Sequence, residues 1–225
     1  MCGRFVGYRN LDELKMFFPI DKAACEVTSN FNVAPSQEIL TIFKQDGKNW
    51  LDKFHWGLVP FWTKDPSIGN RMINARAETV HRKPAYRGAF KYRRCLIPAS
   101  GFYEWDKLGG SRQPYYISRS DGRPLALAGL WEARADCQSG EVLESCTILT
   151  TSANQTLGRI HDRMPVILEQ DDCGLWLDHR VQRTEELTGL FRPAAEEILQ
   201  MTSVSTYVNK AGHEGAVCVA PVAAG

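Results

Sequence analysis

No stretch of the 225-residue chain approaches the run of about 20 apolar residues that a membrane span requires. The first residues carry Arg4, Arg9 and Asp12 and no apolar core of an export signal, so the expectation is a cytoplasmic protein that does not engage membranes. Zinc spacing is missing too. The seven cysteines (Cys2, Cys25, Cys95, Cys137, Cys146, Cys173 and Cys218) form no CxxC pair and no Cys–His pair at ligand spacing, and their number is odd. Structural metal, a cofactor and a disulfide framework are therefore not expected. Most of these thiols read as small buried hydrophobes, above all Cys95 and Cys146, which sit in apolar runs. With no 20–50-residue repeat and no low-complexity linker, residues 1–225 read as a single domain and a monomer. At 44% apolar and 24% charged residues, disordered and fibrous classes are excluded.

A net charge of one sign is also lacking, since 27 Lys and Arg oppose 26 Asp and Glu. That balance hides a polarity. Residues 71–119 hold eleven basic and three acidic residues, and residues 132–200 hold six basic and thirteen acidic. Two arrangements fit: one face shaped to hold a polyanion, or two faces that pair with each other.

What is present is dominated by short apolar runs between Gly, Pro, Asp and Ser. The runs 4–6, 38–43, 50–56, 94–97, 102–105, 114–118, 125–132, 146–151, 166–168 and 199–205 read as strands. Helical signals are fewer. Asn10 caps a helix with Leu11, Leu14 and Phe18 on one face, and Pro84 opens one toward Phe90. Asp171 or Asp172 caps one through Trp176, and Thr184 one through Leu190. Strands do not alternate with long helices, so the pattern predicts an α+β domain, mainly antiparallel and barrel-like, with short peripheral helices.

Several residues stand out for chemistry. Once Met1 is removed, Cys2 presents an α-amine, with a pKa of about 7.7–8.0, beside a thiol; such an amine attacks an aldehyde without special tuning, and the thiol can close the imine into a thiazolidine. As a plain second residue, Cys2 would do nothing. In Met72–Thr79, an extended backbone puts Asn74, Arg76 and Glu78 on one side. Glu104 lies among the aromatics of Gly101–Trp105, an environment suited to a general acid or base. His161 stands beside Asp162 and Arg163 just before a strand. Each has a structural alternative: Asn74 in a turn, Glu104 paired with an arginine, His161 as a loop residue. Pro35 and the Trp56–Trp62 segment interleave rings and prolines, and exposed rings beside arginines suit single-stranded nucleic acid. Trp50, Trp56 and Trp131 read as core, whereas Trp62 follows Pro60 and Phe61 in a loop.

The residues taken together resemble the SRAP family, the SOS-response-associated peptidases. The resemblance rests on Met-Cys-Gly-Arg-Phe at the start, Asn32–Pro35, Trp56–Pro60, Asn74–Thr79, Arg94–Pro98, Gly101–Trp105, Thr150–Asn154 and Ile160–Pro165, in the family's order from residue 2 to about residue 209. It implies a sensor of abasic sites in single-stranded DNA that crosslinks through Cys2, removes its own Met1 and carries a peptidase-like site, cytoplasmic and nucleoid-associated when on DNA. Carried over, Asn74 positions the Cys2 amine, and Glu104 and His161 move protons. Arg4, Arg76 and Arg163 match positions that hold phosphates. Pro35 and Trp62 match the wedge and stacking loops, and Trp105 walls the pocket. Two features depart from the pattern. Lys210–Pro221 replaces a Gly-Pro-Glu-Leu-like segment, and Phe61 stands where a small residue is common.

Two other readings compete. An N-terminal cysteine also begins glutamine amidotransferases of the N-terminal-nucleophile type, although Gly3–Arg4 and the basic middle segment argue against them. The third is a noncatalytic single-stranded DNA-binding module with a passive Cys2. On the crosslinking reading, binding depends on three arginines and weakens with salt by only a few phosphates' worth.

Overall fold

The computed structural model describes residues 2–7, 9–106, 112–135 and 140–222. Met1, Lys107 and Cys137, on which expectations above rest, lie outside them.

All ten runs expected as strands are strands, several of them longer than the pattern suggests: 50–56 extends to Lys48–Trp56, and 146–151 to Val142–Ser152. Four more strands (Lys22–Ala23, Asn30–Val33, Asn74–Arg76 and Arg163–Pro165) are too short to show an alternation and are defined by their neighbours instead. One sheet is antiparallel throughout, in the order Leu199–Ser203, Pro114–Arg119, Gly101–Trp105, Phe5–Gly7, Asn30–Val33. The larger sheet is built on Glu38–Gln45, Lys48–Trp56, Arg94–Ala99, Leu125–Ala135 and Val142–Ser152. Most of its ladders are antiparallel, but Asn74–Arg76 lies parallel to Ile148–Thr150. The result is the expected α+β, barrel-like arrangement with few short helices.

The helix at Leu11–Phe17 opens with a full capping box. Asn10 Oδ1 accepts the Glu13 N–H at 2.9 Å, and Glu13 accepts the Asn10 N–H at 3.1 Å. The other helical signals are displaced. Lys83 O accepts from Tyr86 and Arg87 N–H, so a turn comes first and the helix is Arg87–Tyr92, past Pro84. Asp171 and Asp172 fall inside the first turn of Gln170–Leu177, where their charge suits the positive end of the helix without capping it. Thr184 is the first residue of Thr184–Thr188, with Arg183 before it.

Three apolar clusters fill the interior. One lies under the helices around Leu14, Phe90 and Trp176. A second joins the sheets through Phe5, Trp56, Phe102 and Ile148, and Cys2 belongs to it. The third holds Val6, Tyr103, Val208 and Cys218. Cys95 and Cys146 are fully buried, as expected, and burial pushes the Cys146 thiol up to about 12. Trp56 is fully buried; Trp50 and Trp131 are half-buried at the core's edge.

Arg94 is 2% exposed, and the Asp178 carboxylate acts on it only through its charge. Its guanidinium donates to the carbonyls of Phe90 (2.7 Å), Lys91 (2.9 Å), Trp176 (2.6 Å), Asp178 (2.5 Å) and Val181 (3.1 Å). It thus satisfies the carbonyls left over at the ends of two helices and ties both to its own strand. Part of the basic segment's charge is therefore spent inside the fold. Arg93 goes the same way, held by Glu132 at 2.5 Å across the two oppositely charged segments, and Arg119 reaches Glu169 at 3.4 Å.

Candidate active site and nucleic-acid interface

The strand Phe5–Gly7 pairs with Gly101–Trp105 through Phe5↔Phe102 and Val6↔Gly101, and the Tyr103 N–H continues the ladder to Arg4 O at 2.9 Å. This register carries Glu104 alongside the first residues of the chain. From the other sheet, Asn74 arrives on the short strand that pairs with Ile148, and its Nδ2 donates to Cys2 O at 2.8 Å. The seam between the sheets is packed by Phe5 edge-on to Trp56 at 5.2 Å, while Trp56 Nε1 donates to Ile73 O at 2.9 Å, just before Asn74. Cys2 is thus fixed from both sides.

Cys2 is 0% exposed. Burial pushes its thiol up to about 12, and the Glu104 carboxylate adds to that, while the Arg4 backbone N–H offers a smaller counterpull. At neutral pH the sulfur is held as S–H. Asn74 Oδ1 is buried without a partner among the described residues. Glu104 is 3% exposed, and the Trp105 N–H approaches its Oε1 at 3.4 Å.

His161 follows the turn Gln155–Gly158, and its N–H donates to Leu157 O at 2.9 Å. Leu157 and Met164, on either side of it, pack in the cluster that holds Cys2. Its Nδ1 accepts the Arg163 N–H at 3.0 Å and lies 3.0 Å from Asp162 Oδ1. The neutral ring has a donor at that nitrogen and the protonated ring an acceptor, which suits a residue that exchanges protons.

The three arginines occupy different settings. Arg4 Nη1 donates to Asn32 Oδ1 (2.7 Å) and Val208 O (3.1 Å), with its guanidinium 5.9 Å from the Trp105 ring centre; burial lowers its pKa. Arg76 is exposed. Arg163 is engaged: Nη1 and Nη2 fork onto Glu78 at 2.6 and 3.0 Å, and Nη2 also donates to the Thr150 carbonyl.

The ring-bearing loops meet one another. Pro35 sits in a turn held by Ser36 N–H to Trp56 O at 2.9 Å, with Ser36 in the left-handed region at φ 68°. Ser36 Oγ donates to Asn70 Oδ1 at 3.0 Å, in the helical turn Pro66–Arg71 that follows the Trp62 loop. Below it two glycines touch backbone to backbone. A Cβ on Gly57, at φ +142°, would meet Gly69 O at 2.6 Å, and one on Gly69 would meet Gly57 O at 2.6 Å. Phe61 and Trp62 stand on this loop, 62% and 55% exposed.

Four partners escaped the sequence reading. Asn32, 2% exposed, accepts from Arg4 and donates through Nδ2 to the carbonyls of Val208, Lys210 and His213. Asn209 Oδ1 accepts Trp105 Nε1–H at 2.6 Å, and Glu214 accepts the Phe31 N–H at 2.8 Å. The departing segment after Asn209 is therefore folded onto the Arg4–Trp105 edge. The fourth is Glu132, whose carboxylate, bound to Arg93, also takes the Phe61 backbone N–H. The only available signal was an Asn in the apolar run Phe31–Val33 and a Glu ending the apolar run 125–132.

Among the described residues no helix is long and apolar enough to cross a membrane, and no three His, Cys, Asp or Glu side chains converge to hold a metal ion.

The family model described as SOS response associated peptidase matches residues 1–211. The abasic site processing protein YoqW of Bacillus subtilis is 41% identical over 212 residues, covering 93% of this chain and 94% of its own length. The abasic site processing protein YedK of Escherichia coli is 30% identical, covering 82% of this chain and 83% of that protein. The abasic site processing protein HMCES of Gallus gallus is 36% identical over 78% of this chain and 58% of its own length. A crystal structure of a Bacteroides thetaiotaomicron protein superposes with a TM-score of 0.87 over 99% of this chain and 100% of that one at 24% identity, a likeness of fold.

Proposed function

The chain belongs to the SOS response associated peptidase family, and from that premise we propose that it processes abasic sites in single-stranded DNA by a covalent crosslink through Cys2. The observation that carries this reading is the clasp on Cys2: Asn74 holds its carbonyl at 2.8 Å while Glu104, almost fully buried, lies close enough to act on its sulfur electrostatically.

Removal of Met1 by hydrolysis of its peptide bond frees the Cys2 amine. An abasic sugar opens to an aldehyde as the Glu104 carboxylate takes the C1′ hydroxyl proton and passes it to the ring oxygen, whose bond to C1′ breaks. The neutral amine adds to C1′; loss of water leaves an imine, with His161 exchanging protons. The thiol then adds across the C=N bond, sulfur to carbon and hydrogen to nitrogen, closing a thiazolidine. Closure is intramolecular and gains from a high effective molarity. Arg4 and Arg76 meet phosphates beside the site, Arg163 joins them, and Pro35, Phe61, Trp62 and Trp105 present rings and a wedge to the strand.

Against the amidotransferase alternative stand Gly3–Arg4 and the basic middle segment. The noncatalytic module leaves the clasp without a purpose. The test is adduct formation with abasic single-stranded DNA on denaturing gels. Cys2→Ala is expected to abolish the adduct; an adduct that persists, or glutamine hydrolysis with abasic DNA ignored, removes the proposal. Intact mass should show the loss of Met1 in the crosslinking form.

A further inference from the structure

Glu78 is one of only three acidic residues among positions 71–119. It lies just past the strand Asn74–Arg76, in the turn whose Ala77 N–H donates to Thr150 O at 2.9 Å. That same carbonyl also accepts from Arg163, so Glu78 and Arg163 are brought together over one peptide group. Their contact is a two-bond fork at 2.6 and 3.0 Å, in which Arg163 is 13% and Glu78 49% exposed. Arg76, two residues before it, is exposed and close enough to act on the carboxylate through its charge. The Arg163 hydrogen bond holds the Glu78 carboxyl below the usual carboxylate range, with Arg76 adding to the effect.

A guanidinium fork fits a carboxylate and a phosphodiester in the same way. From this we infer that the Glu78 carboxylate is a resident stand-in for a DNA phosphate between Arg76 and Arg163, and that an incoming strand must displace it to claim Arg163. The inference rests on the reading that Arg163 binds phosphate. Carboxylate–guanidinium pairs with a half-exposed partner are weak, so displacement is feasible on binding. A polyanion that touches the face without seating fully gains only Arg76. Glu78 is in this sense a specificity residue acting through Arg163: it lowers affinity for any strand and makes the full set of phosphate contacts conditional on correct seating.

The test is fluorescence anisotropy of a labelled single-stranded oligonucleotide without an abasic site, titrated between about 50 and 200 mM salt. Glu78→Gln is expected to bind several-fold tighter at the low end, with a log–log salt slope steeper by about 0.7, the worth of one further single-strand phosphate. Glu78→Asp, which restores the charge, should return affinity and slope toward those of the unmodified protein. Glu78→Gln binding equally or more weakly with an unchanged slope, while Arg163→Ala weakens binding, would overturn the inference alone and leave Glu78 as a prop for Arg163. Arg163→Ala binding as tightly as the unmodified protein would sink the phosphate reading beneath it as well.

Discussion

Glu104 is nearly sealed from water, and its charge reaches the buried sulfur of Cys2. On the proposed mechanism this carboxyl moves protons, and its amide replacement changes the proton inventory more than the shape. Glu104→Gln should therefore slow crosslink formation, and its reversal, by about 10²–10⁴-fold while DNA affinity stays near normal; quench-timed gels beside anisotropy would check it, and unchanged rates would remove Glu104 from the mechanism. Cys2, Asn74 and Glu104 stood out in the sequence because each sits in a short motif, and the roles proposed for them come from the family resemblance. Asn32 and Glu132 did not. What makes them matter is a partner 28 to 181 residues away, and no local pattern records that a buried amide will clasp Arg4 or that a carboxylate will hold the Phe61 loop.

At the scale of elements, ten strands followed from apolar runs and turn residues, whereas the other four, of two to four residues, exist only because a ladder was there to receive them. Asn74–Arg76 is the instructive case: three residues, parallel to Ile148–Thr150, yet it delivers the side chain that touches Cys2. The helices were placed correctly and bounded poorly, since end residues obey tertiary carbonyl demands more than capping propensity. Arg94 shows that demand directly. Arg94→Ala would take the guanidinium from five carbonyls at and just beyond two helix ends, and about 3–5 kcal/mol of stability should go with it, the scale for emptying a buried charged hydrogen-bonding network. Thermal or urea unfolding would measure the loss, and a change under about 1 kcal/mol would show that water takes over the role.

For the whole molecule, the charge polarity visible in the sequence is only partly a surface property. Arg93 and Arg119 meet Glu132 and Glu169 of the opposite segment, Arg94 is consumed inside, and Arg76 remains outward. The pairing of the two segments is realised in part, and residue counting alone had no means to say which charges it takes up. The buried acids of the interior make a second global statement. Cys2, Cys146 and Cys173 are each raised from 9.0 to about 12, and Tyr86 from 10.0 to about 12, all by burial first. A folded pKa above the unfolded one means the native state keeps its protons longer, so this stability is complete below about pH 9 and is lost as pH rises toward 12. Melting temperature should fall progressively from pH 9 to 11 while changing little between pH 7 and 8.5; a flat alkaline profile would contradict the burial of these groups.

The clasp between Arg4 and Val208 spans 204 residues of sequence. During synthesis the second residue leaves the ribosome long before the segment that holds its neighbour Arg4 has been translated, and the ladder to Gly101–Trp105 also waits for half the chain. The amino end is thus among the earliest parts made and the last to be enclosed. For all that interval Cys2 is open to whatever trims or modifies nascent chains, and after folding it is 0% exposed. Access to Cys2 is a matter of timing: enzymes that meet the nascent chain reach it freely, and those that meet the finished fold find it enclosed.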